Sequence, residues 1–449
     1  MFRRILIANR GEIACRIIRS CREMKIETVA VYSTADREAK HVRDADQSVC
    51  IGGPSSQESY LNMEAILEAA ERTDAKAIHP GYGFLSENAL FAELCRQHRF
   101  TFVGPSSRVI ALMGDKATAR RTMAAAGIPV VPGSEGLVAR PEDALALAKK
   151  FGFPVVLKAT AGGGGKGMRI CQEEGSLESL FREAALEAQK AFGNAGLYVE
   201  KFIEQGRHIE FQFLGDAYGQ AVHLGERECS VQRHHQKLIE ESPSPAIDEA
   251  TRTEMGEKVR CAVAGLGYVG AGTMEFLRDP EARLYFMEVN TRLQVEHPVT
   301  EMRTGIDIVK EQIALAANHP LSIEQGRVTL RGHALECRIN AEDPFNGFRP
   351  SPGRVERFNP PDSLPDGALR LDTHITAGAE IPMYYDSLIS KLIVWSPDRK
   401  TTIRGMTRAL KGFDIAGIKT TIPLHLKILA DSRFVSGQYH TGLLSEMGV

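Results

Sequence analysis

Apolar residues recur along this chain at two spacings, and the change from one to the other marks out its elements. Ile5 to Ala8 form a short apolar run closed by Asn9-Arg10-Gly11, and Glu12 to Met24 follow with Ile13, Ile17, Ile18 and Cys21 at helical intervals. Thr28 to Tyr32 reads as a second strand, Asn62 to Arg72 as a helix and Ala75 to His79 as a third strand. This alternation predicts a parallel sheet covered by helices, a Rossmann-like unit. One helical stretch is expected from Arg108 through Ala126, stopped by Gly127-Ile128-Pro129. A compact segment of about residues 130–203 comes next, with strands at 154–158, 168–171 and 197–201 and a helix at 177–190. Beyond it the pattern predicts a strand from His208 to Phe213, a pair of strands between Thr273 and Pro298, a helix from Ile306 to Ala317, and a mixed region from about Arg331. The expected class is mixed α/β and α+β, without internal repeats.

The paired strands carry the most specific pattern. Asp279-Pro280 opens a turn, and in the second strand Glu288, Asn290, Arg292, Gln294 and Glu296 all occupy even positions, which a period of two places on one face. With a loop from Asp279 to Leu284, Glu275 stands opposite Glu288, their Cβ atoms roughly 5 Å apart, where like charges repel. A divalent cation removes that conflict, and carboxylate and amide oxygens suit Mg²⁺ or Mn²⁺. A solvated strand face is the plain alternative. Arg292, the potential base Glu296 and an upstream glycine loop favour a site.

At 449 residues the chain exceeds one ordinary hydrophobic core, and two or three domains are expected. The net charge of −2 and the absence of any basic run longer than pairs such as Arg120-Arg121 exclude a nucleic-acid footprint. Eight cysteines without a C-x-x-C pair fit reduced thiols rather than disulfides or zinc. The apolar run after Arg3-Arg4 is too short for a signal peptide, and no segment has the length of a membrane span. A cytoplasmic enzyme with no membrane or nucleic-acid partner is the expectation.

Gly162 to Gly167 formally matches G-x-G-x-x-G, but Met168 to Cys171 continues as a strand where a dinucleotide site needs a helix. The loop is not a Walker A sequence either, since Gly167 stands where Ser or Thr is required. Backbone N–H groups around Gly164 and Gly165 could close over phosphate oxygens, with the Lys158 ammonium beside them. A surface turn is the competing reading. His208, Glu210 and Gln212 share a strand face that a half-buried strand explains equally well. The denser segment Glu226 to Lys237 has no zinc spacing and fits anion or nucleotide contacts, with a solvated loop as the alternative.

These segments together resemble the biotin carboxylase components of biotin-dependent carboxylases, within the ATP-grasp superfamily. The likeness is carried by Ile7 to Ala14, His79 to Asn88, Gly162 to Gly167, Glu226 to Arg233 and Glu288 to Pro298, nearly end to end. It implies a Rossmann-like N-terminal domain (1–114), an ATP-grasp module (115–325) with a mobile lid at about 130–203, and a C-terminal domain (331–449). It assigns Lys116, Lys158, Glu200, Lys201, Ile203, His208, Gln232, His235 and Glu275 to ATP, with Glu200 to Ile203 beside the adenine. Glu275, Glu288 and Asn290 become metal ligands. Lys237, Arg292, Gln294, Val295 and Glu296 form a bicarbonate pocket, Glu296 acting as base, and Arg338 stabilises charge on the biotin ureido oxygen. No Ala-Met-Lys-Met motif is present, so biotin is expected on a separate carboxyl carrier protein. The resemblance further implies carboxyltransferase partners, a homodimer, and service in an acetyl-CoA carboxylase. Pyruvate, propionyl-CoA or other acyl-CoA carboxylases stay open, as does another ATP-grasp carboxylate–amine ligase.

Overall fold

Residues 1–159, 168–192, 195–234 and 236–449 are described by a computed structural model. Strands Gln47–Gly52, Glu27–Ser33, Arg4–Ile7, Ala77–His79 and Thr101–Phe102 form, in that order, a five-stranded parallel sheet. Successive side chains leave opposite faces of a strand. Leu6, Val29 and Ile78 accordingly pack with Ile66 on one side, while Ile5 and Ile7 meet Ile13 and Ile17 of helix Gly11–Glu23 on the other. Each buried isoleucine or leucine contributes about 1.5–3 kcal/mol. The two outer strands have no sequence signature of their own: Gln47–Gly52 is mostly polar or small and Thr101–Phe102 is two residues long.

The helix expected over Arg108 to Ala126 is two helices, Ser107–Gly114 and Lys116–Ala125. Asp115 between them is extended (φ −85°, ψ 106°), and its carboxylate accepts from Thr118 N at 2.8 Å, capping the second helix. The stop expected at Gly127 is present, with φ +80°.

The second sheet has eight strands, in the order Leu284–Asn290, Gly270–Arg278, Arg207–Gly215, Ala221–Arg233, Gln236–Ser242, His333–Asn340, Leu388–Ser396, Ala368–Thr373. From Arg207–Gly215 onward its pairings are antiparallel. The mixed C-terminal region therefore adds three strands to the central sheet. Its helices Arg399–Gly412 and Ile422–Ala430 bury Ile403, Met406, Leu424 and Ile428 in the core with Leu335 and Val394.

Two compact units are distinguishable. The larger comprises Met1–Ile128, Arg207–Phe276 and Glu288–Val449. The smaller comprises Pro129–Gly206 and Leu277–Met287. In the smaller unit, strands Met168–Cys171, Val155–Ala159 and Leu197–Lys201 form an antiparallel sheet, and helices Pro141–Phe151 and Glu174–Phe192 supply Ala144, Ala148, Leu177 and Phe181 to its core. Among the described residues no helix is long and apolar enough to cross a membrane.

One expectation needs correction. The second of the paired strands ends at Asn290, and residues 291–296 are irregular before helix His297–Thr304. Arg292, Gln294 and Glu296 are therefore not on a strand face, and Glu296 (φ −83°, ψ 12°) is the residue that precedes that helix. Pro298 at its start favours the helical φ.

Candidate active site

In the larger unit, side chains from five strands and one helix start form an ion cluster built around a single ammonium. Lys237 Nζ lies 2.6 Å from Glu296 Oε1, 2.7 Å from Glu210 Oε2 and 2.9 Å from Glu275 Oε1. Glu210 and Arg227 are paired across neighbouring strands, and the Arg227 Nε–H donates to Glu210. Arg227 is itself fully buried and donates further to Gln212 Oε1 (2.8 Å) and Thr300 Oγ1 (2.9 Å). Arg338 Nη2 donates to Glu296 Oε2 at 2.9 Å and its Nε to Glu240 Oε1 at 2.6 Å. Buried charges persist when paired and hydrogen-bonded, as Lys237, Arg227 and Glu296 are here.

The carboxylates are not equivalent. Burial opposes ionisation of Glu296, yet Lys237, Arg338 and Arg227 hold it well below the usual carboxylate range. Burial likewise opposes Glu275, which Lys237 and His208 hold low, His208 Nε2 lying 3.0 Å from Glu275 Oε2. Glu210 is pushed up by burial. Glu296 and Glu275 are thus anionic at neutral pH, and Lys237 stays protonated because burial, which acts against it, is outweighed by the neighbouring Cys229, Glu210, Glu275 and Glu296.

The expected pocket residues are joined to this cluster by hydrogen bonds. Arg292 Nη1 donates to Gln294 Oε1 (2.8 Å), Gln294 Nε2 to Glu275 Oε1 (3.1 Å), and Arg292 Nη2 to Asn290 Oδ1 (3.0 Å). Glu87 anchors the segment by accepting from Arg292 Nε (2.8 Å) and Thr291 N (2.9 Å). The Val295 carbonyl accepts from the buried Lys391 ammonium at 2.7 Å.

For a cation, the donor chemistry fits. Glu288 is half-buried, and burial followed by the Glu275 charge raises its pKa, with Lys116 opposing. Asn290 is buried; its Oδ1 accepts from Arg292 Nη2, and its Nδ2 has no partner among the described residues. Two carboxylates that disfavour each other's charge beside a half-satisfied amide form an oxygen-rich set for a hard divalent ion. His208, Glu210 and Glu275 also bring ligand atoms within 4.8 Å of one another, but Glu210 and Glu275 are engaged by Lys237 and Arg227.

Lys116 is the exposed first residue of its helix. Gln232 stands opposite Lys237 in the hairpin register and lines a cavity of about 520 Å³ with Arg233 and Phe348. In the smaller unit, Lys158 pairs with Glu200 on the neighbouring strand, the Lys201 ammonium donates to the Gly152 and Phe153 carbonyls (3.1 and 2.8 Å), and Ile203 is half-buried just past the strand end. Gly164, Gly165 and the rest of the glycine loop lie outside the described residues, as does His235. Sequence reasoning noted Glu210 on a strand face without assigning it to a site, covered Arg227 only as part of the Glu226 to Lys237 segment, and singled out neither Glu87 nor Glu240. Charged residues at the centre of long strands, as in Glu226-Arg227-Glu228, were the available signal.

Comparison with known proteins extends this picture over the whole chain. Residues 1–110 match the family model for the biotin carboxylase N-terminal domain, 115–324 the ATP-binding domain of the carbamoyl-phosphate synthase L chain, and 336–446 the biotin carboxylase C-terminal domain. A biotin carboxylase of Nostoc sp. is 56% identical over 446 residues, covering 99% of each chain. Biotin carboxylase 1 of Bacillus subtilis is 53% identical over 450 residues, covering 100% of this chain and 99% of the relative. Among solved structures, the biotin carboxylase domain dimer of Hydrogenobacter thermophilus 2-oxoglutarate carboxylase, in complex with MgADP, ADP and bicarbonate, superimposes with a TM-score of 0.91 at 50% identity, over 100% of this chain and 98% of that one.

Proposed function

The chain belongs to the biotin carboxylase family of ATP-dependent ligases, and from that premise we propose that it carboxylates biotin on a carrier protein with bicarbonate, as the first half-reaction of acetyl-CoA carboxylase in fatty-acid synthesis. The observation that carries this reading is the Lys237 ammonium held between Glu296 and Glu275, with Arg292 tied to the same cluster through Gln294.

In this proposal Lys237 and Arg292 hold the bicarbonate anion, with Gln294 and Val295 shaping its pocket. Glu296, ionised at neutral pH, accepts the bicarbonate proton as an oxygen attacks the γ-phosphorus of ATP, giving carboxyphosphate and ADP. Glu275, Glu288 and Asn290 would hold Mg²⁺ or Mn²⁺, which when bound neutralises phosphate oxygens. Lys116, His208, Gln232 and His235 are assigned to nucleotide. In the smaller unit Lys158, Gly164 and Gly165 are assigned to phosphates, and Glu200, Lys201 and Ile203 to adenine. Carboxyphosphate breaks down to CO₂ and phosphate beside biotin, phosphate takes the ureido N–H proton, and the nitrogen attacks CO₂. Arg338 has Nε and Nη2 engaged with Glu240 and Glu296, leaving Nη1 to meet the charge developing on the ureido oxygen.

The division into 1–114, 115–325 and 331–449 is retained in this reading, supported by the three matched segments. A carboxyl carrier protein and carboxyltransferase subunits are its partners, and the dimeric relative supports a homodimer. That relative serves a 2-oxoglutarate carboxylase, so the acceptor is settled by which carboxyltransferase co-purifies.

The test is ATP hydrolysis by the purified protein with Mg²⁺, bicarbonate and free biotin. Bicarbonate-dependent, biotin-stimulated turnover is expected, and Glu296→Ala and Arg292→Ala should retain nucleotide binding while losing at least about a hundredfold in that turnover. Unchanged turnover in both variants removes the proposed pocket, and wild-type turnover indifferent to biotin points to a different ATP-grasp ligase.

A further inference from the structure

Beneath Arg338 lies a pair of carboxyl groups that the reaction scheme leaves without a task. Glu240 and Glu336 are directly opposed in the antiparallel register of strands Gln236–Ser242 and His333–Asn340, so their side chains share one face. Both are fully buried. Glu240 Oε1 accepts from Arg338 Nε, but Glu240 Oε2 and both oxygens of Glu336 have no hydrogen-bond partner among the described residues. The cation that acts most strongly on Glu336 is Lys391, opposite Arg338 in the next pairing, and its ammonium is engaged by the Val295 carbonyl (2.7 Å) and Glu12 Oε1 (3.2 Å).

Two facing carboxylates sealed from water cannot both keep their charge at acceptable cost. One proton resolves the conflict and the unmet hydrogen bond together, because a protonated Glu336 is a donor and Glu240 Oε2 is a free acceptor. We propose that Glu240 and Glu336 are a positioning pair for Arg338: Glu336 carries a proton and donates it in a hydrogen bond to Glu240, which is thereby kept as the single anion that aims the guanidinium at Glu296 and the biotin side of the site. This rests on the reading of Arg338 given above.

The surrounding groups support it. Burial pushes Glu240 up to about 7 and Glu336 further above the carboxylate range. Facing the pair are Arg338 from the strand of Glu336, Lys391 from the strand beyond it, Lys237 from the strand of Glu240, and Glu296 at the start of helix His297–Thr304. His297 on that helix is kept neutral by burial. As pH rises the shared proton is lost, a second negative charge appears under Arg338, and binding of anionic substrate weakens.

Infrared difference spectroscopy at neutral pH, wild type against Glu336→Gln, reads the proton without reference to activity. The wild type is expected to show a protonated-carboxyl stretch that shifts in D₂O and is missing from the variant; its absence from the wild type overturns the proposal. In the turnover assay, Glu240→Gln should lower biotin-dependent kcat by about tenfold to a hundredfold with the KM for ATP within about twofold, because Arg338 alone loses its anchor. Glu336→Gln supplies a permanent neutral donor, so its bicarbonate KM should no longer rise with pH as that of the wild type does. Superimposable pH profiles for Glu336→Gln and wild type, or an unaffected kcat in Glu240→Gln, reject the pair. Should the wild type show no biotin-dependent turnover, the functional reading fails while the infrared band still reports on the two carboxyls.

Discussion

Adjacent glutamates can lead opposite lives, and Glu240 and Glu241 show how local that decision is. They point to opposite faces of one strand. Glu240 meets Glu336 across the ladder, whereas Glu241 accepts from Arg399 through both oxygens (2.7 and 3.0 Å) and from the Tyr439 hydroxyl, with His333 Nε2 at 2.8 Å. Burial opposes the charge of Glu241, but His333 and Arg399 hold it at about 2. The folded value lies below the ordinary 4.3 or so of an unfolded glutamate, so its stabilisation is complete above that value and lost as pH falls toward 2. The contribution is on the order of 3 kcal/mol. Urea denaturation followed between pH 6 and about 3 should show Glu241→Gln less stable than wild type at the upper end, the gap closing with acidification. A gap that stays constant would mean that Glu241 acts by shape and not by charge.

At the scale of elements, short polar signals decide where structure starts and stops. Asn62, Ser106, Asp115, Asp248, Asp307 and Asp398 each accept a hydrogen bond from a backbone N–H in the first turn of the helix they precede. Asp115 deserves separate treatment because its helix begins with Lys116, whose charge acts on Glu288. Asp115→Ala is expected to cost about 1 kcal/mol in chemical denaturation. It should also raise the KM for ATP severalfold while kcat stays within about twofold, since a frayed first turn misplaces Lys116 without touching Glu296. A fall in kcat at unchanged KM would contradict the assignment of Lys116 to nucleotide. The irregular stretch 291–296 is the other decisive element: leaving the ladder at Asn290 frees Gln294 to reach Glu275 and Glu296 to reach Lys237, with Arg292 joined to them through Gln294.

For the whole molecule, the proposed ligand set makes stability depend on metal and nucleotide together. MgADP at a hundredfold excess over its dissociation constant should stabilise the fold by about 2.7 kcal/mol, and a chelator should remove most of the resulting shift in thermal midpoint. Glu288→Gln should abolish the metal-dependent part; an identical shift with and without chelator would remove Glu288 from the cation site. Much of the architecture was legible beforehand because helices and buried strands declare themselves locally. Ile13, Ile17 and Ile18 recur at the helical period, the runs at Ile5, Thr28 and Ala75 are apolar, and the long motifs from Glu226 and Glu288 identify the family. Legibility ended where structure depends on residues distant in sequence. Nothing near Asn290 announces that its strand stops there, because Glu87, some two hundred residues earlier, supplies the bonds that hold Thr291 and Arg292. Nor could spacing show that Glu210 and Lys237 share one ion cluster, or that Glu240 faces Glu336. Sequence alone determined the periods, the caps and the kinship of this chain; the tertiary structure decided which charges meet, because burial and strand register are properties of contacts made only when remote segments are brought together.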